Sequence, residues 1–257
     1  MKVKWMKTGE KGTEGLLEPS AAATRGMTVI LTTSLAPVKS VNVILYLHGH
    51  YVGGAKSFGE FRAHYTSSEM VKAVFAANKP VVLVLPELGE NADSADWVSS
   101  SQKNFDSVIQ DTLDGVAKHA KVEKLELGTL ILAAHSGGGF VMRRIRDLNS
   151  DHLKKLKEVW MLDSLYDDAK RWVSWASLSG LPVHNIYTKG PDSKHAPYLN
   201  SSKIYEPARK GEVMAIQDPP PQAPPVTNLQ PAVESEVNHH RVPGAYIGEL
   251  IRKSKNL

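Results

Sequence analysis

The chain has 257 residues, of which 42% are hydrophobic and 23% charged, and its formal net charge is +4. That length suits one large α/β domain with a substantial core, and the absence of cysteine removes disulfides, thiolate metal sites and cysteine nucleophiles together. The mild charge is carried by scattered lysines and arginines, with no basic run interleaved with aromatics, which argues against a nucleic-acid partner.

Residues 1–26 contain no apolar core of signal-peptide length and read as an N-terminal extension or edge strand. No segment approaches the roughly 18 apolar residues of a membrane span, so no membrane insertion and a cytoplasmic location are expected. Residues 27–34 read as the first buried strand, followed by Val41–Leu47, which ends at His48-Gly49. Val81–Leu85 is the next, closed by Pro86. Phe105, Val108, Ile109, Thr112, Leu113, Val116 and Ala117 then recur at intervals of three and four, as one face of a buried helix does.

Thr129–Ala134 is a further strand, and Val141, Ile145 and Leu148 mark the helix after it, with Arg143, Arg144 and Asp147 left for solvent. Val159–Leu162 and Val183–Tyr187 are short strands, separated by a segment (164–181) whose Trp172 and Trp175 suit either core or a cap insert. The proline-rich stretch 217–231 can be neither helix nor central strand and reads as a surface loop. Pro243 opens a last helix in which Ile247, Leu250 and Ile251 share a face, and the basic tail 251–255 complements that helix's C-terminus. Continuous apolar runs alternating with amphipathic stretches indicate the α/β class. The expected architecture is a mostly parallel central sheet with helices on both faces, in a single domain over 1–257.

The most informative stretch is Leu130-Ile-Leu-Ala-Ala-His-Ser136-Gly-Gly-Gly139. A strand that ends in a sharp turn before a helix thrusts a serine hydroxyl out of the sheet edge, and small neighbours let that turn close. Ala134-His135-Ser136-Gly137-Gly138 follows the Gly-x-Ser-x-Gly pattern with alanine at the first position. Neither a Gly-x-Gly-x-x-Gly fingerprint nor a Walker lysine is present, so a phosphate-binding turn is disfavoured.

Serine needs a base to take its proton and a third group to orient the base. Downstream, Asp163 ends the run Val159–Leu162, and the pair His239-His240 precedes the last helix. The order Ser136, Asp163, His239 is a workable triad, with Asp192 the competing acid and His240 the competing base. Asp163 is favoured because it directly ends a buried run, where an orienting carboxylate is shielded. An oxyanion needs preorganised N–H donors. Gly137 supplies one by position, and the loop after Leu47-His48-Gly49 supplies the other, from the backbone of His50 or of Tyr51.

These residues, with Tyr46-Leu47-His48-Gly49, resemble those of the α/β-hydrolase-fold serine hydrolases, the superfamily of lipases and esterases. The resemblance spans residues 27–257 and implies carboxylic ester hydrolysis through an acyl-enzyme on Ser136. It implies no cofactor and no metal, and a small-molecule ester or acyl substrate as partner, and it leaves the oligomeric state open. Three rivals stand beside it: an amidase or peptidase with the same triad, a binding protein on an inactive hydrolase scaffold, and a metal hydrolase. The last would use His48, His50, His239, His240 and Asp163. Tyr51, Phe58, Phe61, Trp97, Trp172 and Trp175 suit an apolar substrate pocket and suit the core equally.

Overall fold

A computed structural model describes residues 3–7, 13–17, 26–32, 38–49, 58–88, 96–165, 169–188, 233–235 and 239–257. Among them nine strands form one sheet: β1 (Val3–Lys7), β2 (Thr13–Leu17), β3 (Met27–Leu31), β4 (Ser40–Leu47), β5 (Val82–Pro86), β6 (Glu126–His135), β7 (Leu156–Leu162), β8 (Val183–Tyr187) and β9 (Val233–Glu234). Their order across the sheet is β1-β2-β3-β5-β4-β6-β7-β8-β9. The first three strands and the β3–β5 pairing are antiparallel, and every pairing from β5 through β4 to β9 is parallel.

Parallel strands need covered faces, and both are covered here. Helices α4 (Gln102–Ala120), α5 (Gly138–Arg146) and α6 (Ala169–Ser179) pack on one face, together with the short α3 (Asp96–Ser99). On the other face lie α1 (Phe58–Thr66), α2 (Glu69–Ala76) and the C-terminal α7 (Val242–Lys253). Leu130 to Ala134 alternate between these two cores and are fully buried, which is why the strand reads as an unbroken apolar run. The mostly parallel sheet with helices on both faces is the architecture expected from the sequence.

Differences from the sequence reading have physical causes. β6 starts at Glu126 rather than Thr129, because Glu126 and Leu127 already pair with Ser40 and Val41 at the polar rim of the sheet. β3 spans Met27–Leu31, and residues 33 and 34 of the expected strand lie outside the described residues. Within segment 164–181, Ala169, Trp172, Val173 and Ala176 of α6 face the sheet, which makes α6 the crossover between β7 and β8. The Arg146 guanidinium, 4.6 Å from the Trp172 ring centroid, completes that packing while pairing with Asp147 at 2.8 Å. The proline-rich stretch 217–231 lies outside the described residues.

β7 begins at Leu156, earlier than its apolar run, because Glu158 is a polar residue buried within it. Glu158 accepts hydrogen bonds from Trp160 Nε1 at 2.9 Å, Ser254 Oγ at 2.5 Å and Asn256 Nδ2 at 2.8 Å, and His184 Nε2 lies 3.4 Å away. One carboxylate thereby ties β7 and β8 to the end of the chain. Burial opposes its ionisation, but the hydrogen bonds from His184, Ser254, Asn256 and Trp160 outweigh burial and hold its pKa down at about 2, against an ordinary 4.5. A shift of that size corresponds to roughly 3 kcal/mol. The folded-state pKa is depressed, so this stability is complete above pH 4.5 and is lost as pH falls through about 2. In urea unfolding, the stability gap between the protein and its Glu158→Gln variant should be wide near about pH 6 and narrow progressively below pH 4.5. A gap that stays constant across that range contradicts this role.

Candidate active site

β6 ends at His135, and Ser136 turns into the left-handed region with φ 51° before α5 begins at Gly138. A non-glycine residue held there is the strained strand-to-helix turn that a nucleophile elbow needs. The glycines around it make room for backbone. A Cβ on Gly138 would lie 2.2 Å from the Leu47 carbonyl oxygen, and one on Gly139 would lie 2.1 Å from that of Ser164. α5 is thus pressed against the ends of both strands that flank β6. Gly49, at the end of β4, is equally constrained: its Cβ would sit 2.5 Å from Ser136 Cβ and 3.0 Å from Ser136 Oγ.

Asp163 follows β7 in the same conformation, with φ 53°. β6 and β7 are neighbours in the sheet, with His135 opposite Leu162, so the two left-handed residues lie side by side. The Ser136 N–H donates to the Asp163 carbonyl at 3.2 Å, and the Asp163 N–H donates to the Ile186 carbonyl at 2.7 Å. The Asp163 carboxylate is buried, and three donors meet it. The Thr188 N–H reaches Oδ1 at 3.1 Å, the Thr188 hydroxyl donates to Oδ2, and His239 Nδ1 lies 2.7 Å from Oδ2. A carboxylate removed from water requires such partners.

His239 opens the short 3-10 turn His239–Arg241 that leads into α7, and its side chain is only 14% exposed. Because a carboxylate accepts, the Asp163 contact places a proton on Nδ1 and leaves Nε2 as the basic nitrogen of the neutral ring. His240 is exposed; its ring lies 5.4 Å from that of His239, centroid to centroid. The buried His135 meets His239 twice. Its Nε2 is 2.9 Å from the His239 carbonyl oxygen, and the two rings lie 4.5 Å apart at 34°. Burial, and then the neighbouring His239, push the His135 pKa down to about 3.

No protein-family model matches the sequence, and no curated protein sequence matches it. Solved structures do match. An S-formylglutathione hydrolase from Agrobacterium tumefaciens aligns over 98% of this chain and 96% of its own, with a TM-score of 0.56 at 12% identity. The ferric enterobactin esterase of Salmonella typhimurium aligns over 96% of this chain and 59% of its own, with a TM-score of 0.54 at 11% identity. The enterobactin esterase of Shigella flexneri, solved with 2,3-dihydroxy-N-benzoyl-glycine, aligns over 95% of this chain with a TM-score of 0.51 at 12% identity. This chain has the α/β-hydrolase fold. It spans 59% of the length of those two enterobactin esterases.

Within that fold, the structure joins Ser136, Asp163 and His239 through the contacts above, and Gly137 lies at the N-terminus of α5. His50, Tyr51 and Asp192 lie outside the described residues. His48 has both ring nitrogens engaged, Nε2 accepting from the Leu88 N–H at 2.7 Å and Nδ1 meeting the Gly49 carbonyl at 2.6 Å. Among the described residues, no three His, Cys, Asp or Glu side chains converge as a metal site would require. Phe61 and Trp172 are core residues and Trp175 packs against the core, the second of the two placements the sequence left open. The Tyr51, Phe58 and Trp97 side chains are outside the described set.

Gly49 and His135 help to line a cavity of about 640 Å³ that reaches His240 and Arg241. Thr188, Gly49 and His135 escaped the sequence reading as site residues. Thr188 lies just past a strand end, and its role depends on which strand neighbours β7. Gly138→Ala should destabilise the α/β-hydrolase domain by more than about 2 kcal/mol in urea titration, since the obstructing atom is backbone and cannot swing aside. A loss below about 0.5 kcal/mol would contradict the close packing of α5 on β4.

Proposed function

We propose that the protein is a carboxylic ester hydrolase acting on small-molecule esters, with Ser136 as nucleophile, His239 as base and Asp163 as the orienting acid. The observation that carries this reading is the bond of 2.7 Å between His239 Nδ1 and a buried aspartate whose own backbone receives the Ser136 N–H. The nucleophile's turn, the acid and the base are thereby parts of one connected unit. The structural neighbours named as enterobactin esterases and as an S-formylglutathione hydrolase support the same reading.

In the proposed reaction, Ser136 Oγ attacks the ester carbonyl carbon while His239 Nε2 takes the hydroxyl proton. Asp163 holds the tautomer and stabilises the imidazolium that forms. The oxyanion receives the N–H of Gly137, at the positive end of α5, and that of His50. Collapse breaks the carbonyl–alkoxide bond, and His239 returns the proton to the leaving alcohol. Water then attacks the acyl-enzyme with His239 again as base, which releases the acid and restores Ser136. No cofactor enters these steps. A cytoplasmic location is part of the proposal; among the described residues no helix is long and apolar enough to cross a membrane.

Ser136→Ala should lower turnover of a p-nitrophenyl ester at least about a thousandfold, and Asp163→Asn should cause a loss of the same order. A loss below about a hundredfold for Ser136→Ala would remove serine catalysis from the account. Turnover of a matched p-nitroanilide faster than that of the ester would assign the same triad to amide cleavage.

A further inference from the structure

We infer that His135, the residue before the nucleophile, is a positioning residue for the base: it fixes His239 by donating Nε2–H to the His239 carbonyl and by stacking its ring on the base. The inference rests on the triad proposed above. A sequence pattern counts the position before the serine as variable, so nothing in the motif assigns it a role.

The geometry determines the direction of the bond. The His239 carbonyl can only accept, so the proton lies on His135 Nε2, at 2.9 Å from that oxygen. His239 sits in a turn of three residues, His239–Arg241, whose preceding residues 236–238 lie outside the described set. Besides the Asp163 bond to its ring, the His135 bond holds its main chain. One contact orients the imidazole and the other anchors the backbone that carries it. A base displaced by even 1 Å loses much of its advantage, because proton transfer from the serine demands close alignment.

The stack adds a charge argument. His239 becomes cationic when it takes the serine proton, and the ring 4.5 Å away must not be cationic as well. His135 is buried, and the ionisable groups around it are His239, His240 and Asp163. Burial, followed by the influence of His239, keeps it neutral at all pH values well above about 3. A neutral imidazole can therefore face the imidazolium throughout the working pH range.

Three variants separate the parts. In His135→Gln the amide Nε2 overlays the imidazole Nε2 and can still donate. His135→Phe keeps a ring but has no donor, and in His135→Asn the amide nitrogen is too short to reach. With a p-nitrophenyl ester, Phe and Asn should lower kcat about 10- to 100-fold with KM within about threefold, and Gln should recover most of that loss. The rate of fluorophosphonate modification should follow the same ranking. Thermal unfolding of each variant identifies any that lose activity through misfolding. Equal kcat for wild type and Phe, or equal loss in Phe and Gln at matched stability, overturns the inference.

Long-range ¹H–¹⁵N spectra provide a test independent of activity. His135, assigned through its absence in the Gln variant, should show a neutral ring with the proton on Nε2 and no titration between about pH 5 and 8. A proton on Nδ1, or a ring that titrates in that range, overturns the inference whatever the activity. If Ser136→Ala leaves turnover intact, the ester-hydrolase reading falls and the role of His239 as base falls with it, whereas a wrong tautomer overturns the His135 contact alone.

Discussion

The site depends on a buried carboxylate. Asp163 has no access to water, so its oxygens must find donors inside the protein or leave the fold with a large desolvation cost. Thr188 supplies two of those donors from the end of β8, and His239 supplies the third from the turn before α7. Asp163 thereby joins the ends of β7 and β8 to the last helix. Removing any one partner would leave part of a buried carboxylate uncompensated, which gives the fold a reason to hold the histidine in place.

The backbone repeats this logic on a smaller scale. Ser136 and Asp163 both leave their strands with φ near the left-handed minimum, at 51° and 53°, and the serine N–H closes onto the aspartate carbonyl. Left-handed conformation at a non-glycine residue costs about 1–2 kcal/mol, more readily borne by aspartate than by most side chains. That strain persists because the surroundings allow nothing else. Gly138 and Gly139 admit the backbone at the end of β4 and of the turn after β7, and Gly49 admits the Ser136 side chain, at distances no added side chain would tolerate. The glycine cluster therefore reflects packing on three sides of the serine as much as flexibility of the turn.

Much of this was legible in the sequence, and the reason is periodicity. β5 and the apolar stretches of β4, β6 and β7 are buried on both faces and appear as apolar runs, and the buried face of α4 appears as a stripe at intervals of three and four. The elbow was legible because a serine before three glycines at a strand end has few other uses. What was hidden depends on long-range pairing. Glu158 looks like an interruption in a strand until Trp160, His184, Ser254 and Asn256 surround it. Thr188 gains meaning only because β8 lies beside β7, and Trp172 only because α6 turns its apolar face to the sheet. A tryptophan pair spaced by three fits a lid and a core helix equally well until the sheet is present.

The central claim is that Ser136 is activated by His239. A fluorophosphonate probe followed by peptide mass spectrometry tests it most directly, because the probe reports nucleophile activation without requiring the natural substrate. The account predicts one adduct per chain, on the peptide containing Ser136, and loss of that adduct in His239→Ala but not in His240→Ala. Folded protein that takes no adduct, or takes one elsewhere, would contradict it.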